Sequence, residues 1–201
     1  MALLFAKNNS LSAVTALPAS ISGGGLNLIS TQTASSSATV SFTSGIDSTY
    51  KEYIFRFYNI HPATNNSSFQ FQGSTDSGSS YGVSITSSFF QAYHAEDGSA
   101  TSLSYNTNND LGNSTSFQII ADTTGNGDDE SASGFLHLFS PSDTTFVKNF
   151  IAIDNHSYNG AYSINDFSGG YFNTTSAINA IQFKMSSGNI DSGTIKLYGV
   201  S

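Results

Sequence analysis

Apolar and polar residues alternate with a period of two along most of the chain after residue 26, most clearly in residues 38–42, 69–72 and 116–121. Successive side chains of a strand point to opposite faces of a sheet, so this alternation predicts half-buried strands. About nine or ten such segments follow one another at the spacing typical of β-sandwiches, and no long amphipathic helices separate them. The pattern therefore predicts an all-β fold, an antiparallel β-sandwich of jelly-roll type.

The same pattern also predicts a central strand covered on both faces at residues 53–60 and a loop at 101–112. Hairpin-like pairs are expected over residues 69–86 and between the last two strands, 180–185 and 194–200.

Composition agrees with this prediction. Charged residues make up only 10% of the 201 residues, whereas aromatic residues make up 13%. The strong helix formers Leu, Glu and Lys are scarce, and Ser, Thr, Gly and aromatic residues, which suit strands and turns, are plentiful. The aromatic content can supply a core and argues against disorder. We expect one β-sandwich domain over residues 26–201, preceded by an arm or linker at residues 1–25.

The first 25 residues differ from the rest because they combine apolar residues with three consecutive glycines at positions 23–25, which form a flexible joint. They are either a disordered terminus or an arm that docks on the core or on a neighbouring subunit. The number of apolar residues favours a docking arm. The residues predicted to dock are Leu3, Leu4, Phe5, Val14 and Leu17.

Charge and cysteine content exclude several classes of function. The net charge is −8 and the six Lys and Arg residues are scattered, so we expect no nucleic-acid partner. The absence of Cys excludes disulfides, thiolate catalysis and Cys-based zinc sites. The apolar run at residues 2–6 is too short for a secretory signal, and we expect no membrane insertion because no run approaches the ~18 residues of a spanning helix.

The segment 122–130 resembles the first half of a calcium-binding loop. Oxygen-bearing side chains alternate around Gly127, and the predicted ligands are Asp122, Asn126, Asp128 and Glu130. The twelfth position of the loop, normally a bidentate Glu, is Ser133. Because Ser133 cannot replace that ligand, we favour an exposed acidic turn screened by solvent, with Ca²⁺ as the alternative and no other cofactor expected.

Two histidines lie two residues from a carboxylate, in the pairs His94–Glu96 and Asp154–His156. In a strand this spacing places both side chains on one face, which suits a metal site or a general base. Because no nucleophile motif accompanies either pair, we expect no enzymatic activity. Tyrosines in polar loops are candidates for stacking on sugars or for protein interfaces; they include Tyr81, Tyr93, Tyr105, Tyr158, Tyr162 and Tyr171.

Residues 26–62 and the C-terminal stretch YFNTTSAINAIQFKMSSGNIDSGTIKLYGVS are similar to virion structural proteins of tailed, mainly marine, bacteriophages. The resemblance lies in the order of the residues over these two stretches and includes no catalytic motif. It implies a β-sandwich that decorates the particle or belongs to a tail appendage.

The expected function is therefore that of a non-enzymatic virion protein exposed on the particle surface after assembly in the host cytoplasm. It is either a head-decoration protein or a subunit of a tail fibre or appendage. We expect contacts with other virion proteins and a homo-oligomer, with a trimer favoured. The alternatives are a carbohydrate-binding module that recognises a host-surface glycan, and a glycan-cleaving hydrolase using a pair drawn from Asp47, Glu52, Glu96 and Asp97.

Overall fold

The computed structural model describes residues 25–201, which fold into two antiparallel β-sheets packed face to face. The predicted all-β sandwich is confirmed. None of the elements in this part of the chain is a helix long and apolar enough to cross a membrane. The predicted arm residues Leu3, Leu4, Phe5, Val14 and Leu17 lie outside the described residues. The strands are β1 Leu26–Ser37, β2 Val40–Phe42, β3 Glu52–Pro62, β4 Ser67–Ser74, β5 Ile85–Ala95, β6 Thr101–Tyr105, β7 Gln118–Thr124, β8 Ala132–Phe139, β9 Lys148–Tyr158, β10 Tyr162–Phe172, β11 Ala180–Met185 and β12 Ile190–Val200.

The two sheets differ in size. The large sheet has eight strands in the order β1-β12-β3-β8-β9-β10-β5-β6, and the small sheet has four in the order β2-β11-β4-β7. The small sheet covers one face of the large sheet, because strands of this length bury their apolar alternate residues against a second layer. The opposite face of the large sheet, called the outer face below, has no second layer among the described residues.

Phenylalanine rings fill the space between the sheets. Phe55 of the large sheet lies edge-on to Phe183 of the small sheet, with ring centroids 5.4 Å apart. Phe69 and Phe183 stack at 5.5 Å, and Phe71 contacts Phe150 of the large sheet at 5.1 Å. Edge-to-face and offset contacts are the arrangements that aromatic quadrupoles favour. The high aromatic content of the sequence is therefore used as the sandwich core.

Strand β3 occupies the central position that its apolar density predicts, between β12 and β8. Among residues 25–201, a second sheet covers only one of its two faces. Its inner residues Tyr53, Phe55 and Phe57 are buried, whereas Arg56 and Tyr58 on the outer face are exposed. The apolar density of this strand thus reflects its core face together with Ile54, which is buried on the outer face.

The structure has twelve strands where the alternation predicts nine or ten. The two strands without a predicted counterpart, β1 and β6, are the edges of the large sheet, and most of their residues are exposed. The segment 101–112 is predicted to be a loop, but its first five residues form β6. An edge strand can be polar on both sides because only one of its neighbours is protein, so its alternation is weak.

Two predicted strand pairings are also wrong. Residues 69–86 are predicted to form a hairpin, but β4 lies in the small sheet and β5 in the large sheet. The last two strands, β11 and β12, likewise belong to different sheets. In both places the connecting loop crosses from one layer to the other, and local alternation carries no information about that crossing.

Candidate functional site

Three ionisable side chains meet between the large sheet and β7. Asp154 and His156 point inward from β9, and Asp166 points inward from β10 directly opposite Asp154 in the strand register. Their exposed fractions are 2%, 1% and 0%. One ligand atom from each residue lies within 4.8 Å of the others. Among residues 25–201 this is the one group of three His or carboxylate ligands that converges in this way.

Hydrogen bonds fix the orientation of all three side chains. His156 Nδ1 lies 2.9 Å from Asp154 Oδ2. Asp166 accepts a bond at Oδ2 from the Asp122 backbone N–H at 2.8 Å, and a bond at Oδ1 from Gln91 Nε2 at 2.9 Å. Two polar atoms of the cluster, Asp154 Oδ1 and His156 Nε2, are inaccessible to solvent and have no hydrogen-bond partner.

The electrostatics of the cluster follow from its burial. Burial opposes ionisation and raises the pKa of Asp154 to about 6, although His156 acts in the opposite direction. Burial and the charge of Asp154 raise the pKa of Asp166 to about 7. Burial also opposes a charge on His156, but the hydrogen bond and charge of Asp154 outweigh it, so the pKa of His156 is raised. Two carboxylates and one imidazole therefore compete for protons in a space without other cations nearby.

A glycine brings the neighbouring strand close to this cluster. Gly134 of β8 lies opposite Asp154 of β9, and a Cβ added there would lie 2.2 Å from the Ile153 carbonyl oxygen and 2.7 Å from Asp154 Cα. Any larger residue would push β9 away. The absence of a side chain at position 134 thus helps to hold Asp154 in place.

A pocket lined by tyrosines lies next to the cluster. Its volume is about 310 Å³, and Tyr93, Tyr158 and Tyr162 line it together with Gln91, Thr123 and Ile164. Gln91 joins the two features because its side chain lines the pocket and also donates to Asp166. Tyr158 and Ile164 lie two residues from His156 and Asp166 on the same faces of β9 and β10, so the pocket lies beside the cluster.

A second candidate surface is the apolar outer face of the large sheet. The register places Phe135, Ile153, Phe167, Phe90 and Tyr105 in one cross-strand row over five neighbouring strands. The rings of Phe90 and Phe167 stack with centroids 4.9 Å apart. Exposed apolar residues extend the row on the same face, including Ile151 and Leu103, of which Leu103 is 72% exposed. A contiguous apolar surface of this kind marks an interaction site.

The predicted calcium ligands make contacts of their own within the protein. Asp122 Oδ1 accepts a bond from Ser68 Oγ at 2.9 Å, and Glu130 Oε2 accepts one from the Gly127 N–H at 2.6 Å. Asn126 Nδ2 donates to the Ala63 carbonyl at 3.4 Å, and Asp128 lines a separate shallow pocket with Glu130. The loop is not among the converging ligand groups of residues 25–201. Calcium binding at this loop stays a prediction.

The i, i+2 spacing of Asp154 and His156 identified two of the three cluster residues, and both share one face as predicted. In the other pair, His94 Nδ1 lies 2.7 Å from the Ala95 carbonyl oxygen instead of contacting Glu96. Asp166 and Gln91 were missed because they reach the cluster across strands. Their sequence signal is a polar residue at an inward strand position, and it can be recognised only when the register is known.

Comparison of the chain with protein-family models, with curated proteins and with solved structures gives no match.

Proposed function

We propose that this chain is a non-enzymatic structural protein of a bacteriophage particle, exposed on the surface as a head-decoration or tail-fibre subunit. The observation that carries the proposal is the uncovered apolar outer face of the large sheet. A protein that acts alone in solution seldom exposes an aromatic row across five strands, whereas a subunit buries such a row on assembly.

The strand order supports the same proposal. Without the hairpin-like additions β5-β6 and β9-β10, the remaining eight strands have the orders β1-β12-β3-β8 and β2-β11-β4-β7. The first of these eight pairs with the last, the second with the seventh, the third with the sixth and the fourth with the fifth. The same nesting is expected of a jelly roll, an architecture of viral capsid and lectin domains, and it supports that interpretation of the sandwich. The fold alone does not assign a function, so the outer face remains the principal argument.

We further propose that the arm of a neighbouring copy covers the outer face. The arm joins the sheet at Leu26, whose exposed side chain lies on the edge strand β1. Residues 1–24 can extend over about 80 Å at ~3.3 Å per residue. Eight strands are only about 34 Å wide at ~4.8 Å per strand spacing. The arm is therefore long enough to cross the face, and its residues Leu3, Leu4, Phe5, Val14 and Leu17 supply apolar side chains for it.

Sedimentation of purified full-length protein tests the assembly. We expect a homo-oligomer, with a trimer favoured, that dissociates to folded monomers after deletion of residues 1–22 or in the double variant Phe90→Glu, Leu103→Glu. The control, Ser44→Glu with Ser48→Glu, adds the same charges in the exposed β2–β3 loop and should assemble normally. Unchanged assembly after either disruption would contradict the proposal. Mass spectrometry of purified particles tests the virion assignment, and absence of the chain would refute it.

The tyrosine-lined pocket favours carbohydrate binding as the second candidate function. Tyrosine rings beside a side-chain amide and a hydroxyl provide stacking planes and hydrogen bonds, the contacts that orient a sugar. A glycan array with the wild type and with Tyr93→Ala, Tyr162→Ala tests it. Glycan binding by the wild type that the double variant loses would support this function, and an array on which the wild type binds no glycan would contradict it. Hydrolysis is a weaker proposal, because the acids nearest this pocket, Asp154 and Asp166, are shut off from solvent.

A further inference from the structure

We propose that Asp154, His156 and Asp166 form a binding site for a divalent transition-metal ion, and that Zn²⁺ suits this donor set best. The site lies apart from the outer face and is independent of the proposed assembly.

The first argument is the set of donors. One imidazole nitrogen and two carboxylate oxygens form a mixed set that Zn²⁺ accepts readily, whereas Ca²⁺ and Mg²⁺ prefer oxygen alone. Donors that share one Zn²⁺ lie about 2.1 Å from the ion, and hence less than ~4.3 Å from one another. The ligand atoms of the three residues already lie within 4.8 Å of one another. At most a small inward shift is needed to close the site.

The second argument is that two polar atoms of the cluster have no partner. Asp154 Oδ1 and His156 Nε2 are inaccessible to solvent and make no hydrogen bond, although leaving such atoms unpaired is costly. His156 Nδ1 lies 2.9 Å from Asp154 Oδ2 and Nε2 points away from Asp154, so an ion bound by both residues takes the place of the proton shared by Nδ1 and Oδ2. The unpaired Asp154 Oδ1 is then available as a further carboxylate donor.

The charges of the two carboxylates also favour a bound cation. Two ionised carboxylates in a buried space repel each other and are poorly solvated, and a divalent cation balances both. Gln91 and the Asp122 N–H each donate to one oxygen of Asp166 and leave the second lone pair of each oxygen free for an ion. The tyrosine-lined pocket shares Gln91 with the cluster, so an ion that enters the pocket is separated from Asp166 by this side chain.

Calorimetric titration of chelator-treated full-length protein with Zn²⁺ tests the proposal. We expect saturable binding of one ion per chain, a rise in melting temperature of several degrees, and much weaker binding of Ca²⁺ and Mg²⁺. His156→Gln and Asp166→Asn should each weaken Zn²⁺ binding by at least about tenfold. His137→Gln is the matched control, because His137 also contacts a carboxylate, that of Glu52, but lies half-buried on the outer face. It should bind Zn²⁺ as the wild type does.

A measurement on the wild type alone covers the case in which the variants fail to fold. NMR of the histidine ring nitrogens should show that Zn²⁺ shifts the signals of His156 and leaves those of His61, His94 and His137 unchanged. Absence of saturable binding would overturn the proposal. So would equal binding by folded His156→Gln, or ring shifts confined to the other three histidines.

Discussion

Phe90 of β5 and Phe167 of β10 stack almost parallel on the outer face, with ring centroids 4.9 Å apart and planes inclined by 4°. Both rings are only partly buried, so the pair is stabilised chiefly by its own contact. In a double-mutant cycle with Phe90→Ala and Phe167→Ala, we expect a coupling energy of about 0.5–1.5 kcal/mol. Urea unfolding at one protein concentration measures it. Strictly additive effects of the two substitutions would show that the stack contributes nothing.

A pair of glycines in the large sheet provides a matched test of close strand approach. Gly134→Ala places a Cβ 2.2 Å from the Ile153 carbonyl oxygen, whereas in Gly169→Ala the nearest atom, the Phe150 carbonyl oxygen, is 3.9 Å away. We expect Gly134→Ala to lower the melting temperature by several degrees and to weaken Zn²⁺ binding, because it displaces β9 at Asp154. Gly169→Ala should change neither, and equal effects of the two would refute this account of Gly134.

The core is expected to be sensitive to the loss of a single ring. Phe183 is fully buried and contacts Phe55, Phe69 and Phe42. Phe183→Ala should reduce the free energy of unfolding by about 3–5 kcal/mol, because it removes buried surface and leaves a cavity. Phe146 is 69% exposed, and Phe146→Ala should change stability by at most about 0.5 kcal/mol. Chemical denaturation of the two variants at the same pH checks both values.

Acid should reduce the contribution that Asp76, in the loop after β4, makes to the free energy of unfolding. Bonds from Ser74 and Ser80 lower the pKa of Asp76 from 3.8 to about 2. A lowered carboxyl pKa contributes stability that is complete above the unfolded value and is lost as pH falls through the folded value. The difference in unfolding free energy between wild type and Asp76→Asn should therefore be largest above pH 4 and shrink toward pH 2. A difference that does not change with pH would contradict this role.

Calcium should have little effect on the loop at residues 122–130. Asp122 and Glu130 already accept hydrogen bonds from Ser68 and from the Gly127 N–H, so coordination would have to replace those contacts. We expect the same melting temperature with Ca²⁺ and with a chelator selective for it. A calcium-dependent rise of several degrees that disappears in Asp128→Ala would instead establish the predicted calcium site.

The strands that the sequence pattern identified are those with a sandwich core on one side. Strand β9 buries nearly every second residue, whereas the edge strands β1 and β6 bury too little to show a period. Strand partners were not predictable, because β4 and β5 are close in sequence but lie in different sheets. Alternation indicates which face of the sheet a residue occupies, but it does not indicate which residue lies beside it on the neighbouring strand.

The same distinction explains what could be predicted of the buried cluster. Asp154 and His156 lie on one strand, so their spacing alone places them together. Asp166 joins them through the register of β9 with β10, and the Asp122 backbone joins through the packing of β7 on the large sheet. These contacts are long-range, and the spacing of residues along a single sequence does not reveal them. The outer aromatic row was missed for the same reason, since its members come from five strands.

The pairing of β1 with β12 has a consequence for how the chain acquires its structure. Leu26 lies opposite Val200, and Ala34 lies opposite Gly193, so these contacts join the two ends of the domain. Closing so long a loop costs entropy before the contacts that it allows can stabilise the chain. Folds dominated by pairings between distant residues therefore fold slowly. During synthesis β3 also has no partner on one side until β12, with which it pairs, has been made. We expect slow refolding from denaturant, and a nascent chain that completes its large sheet only after the last strand has left the ribosome.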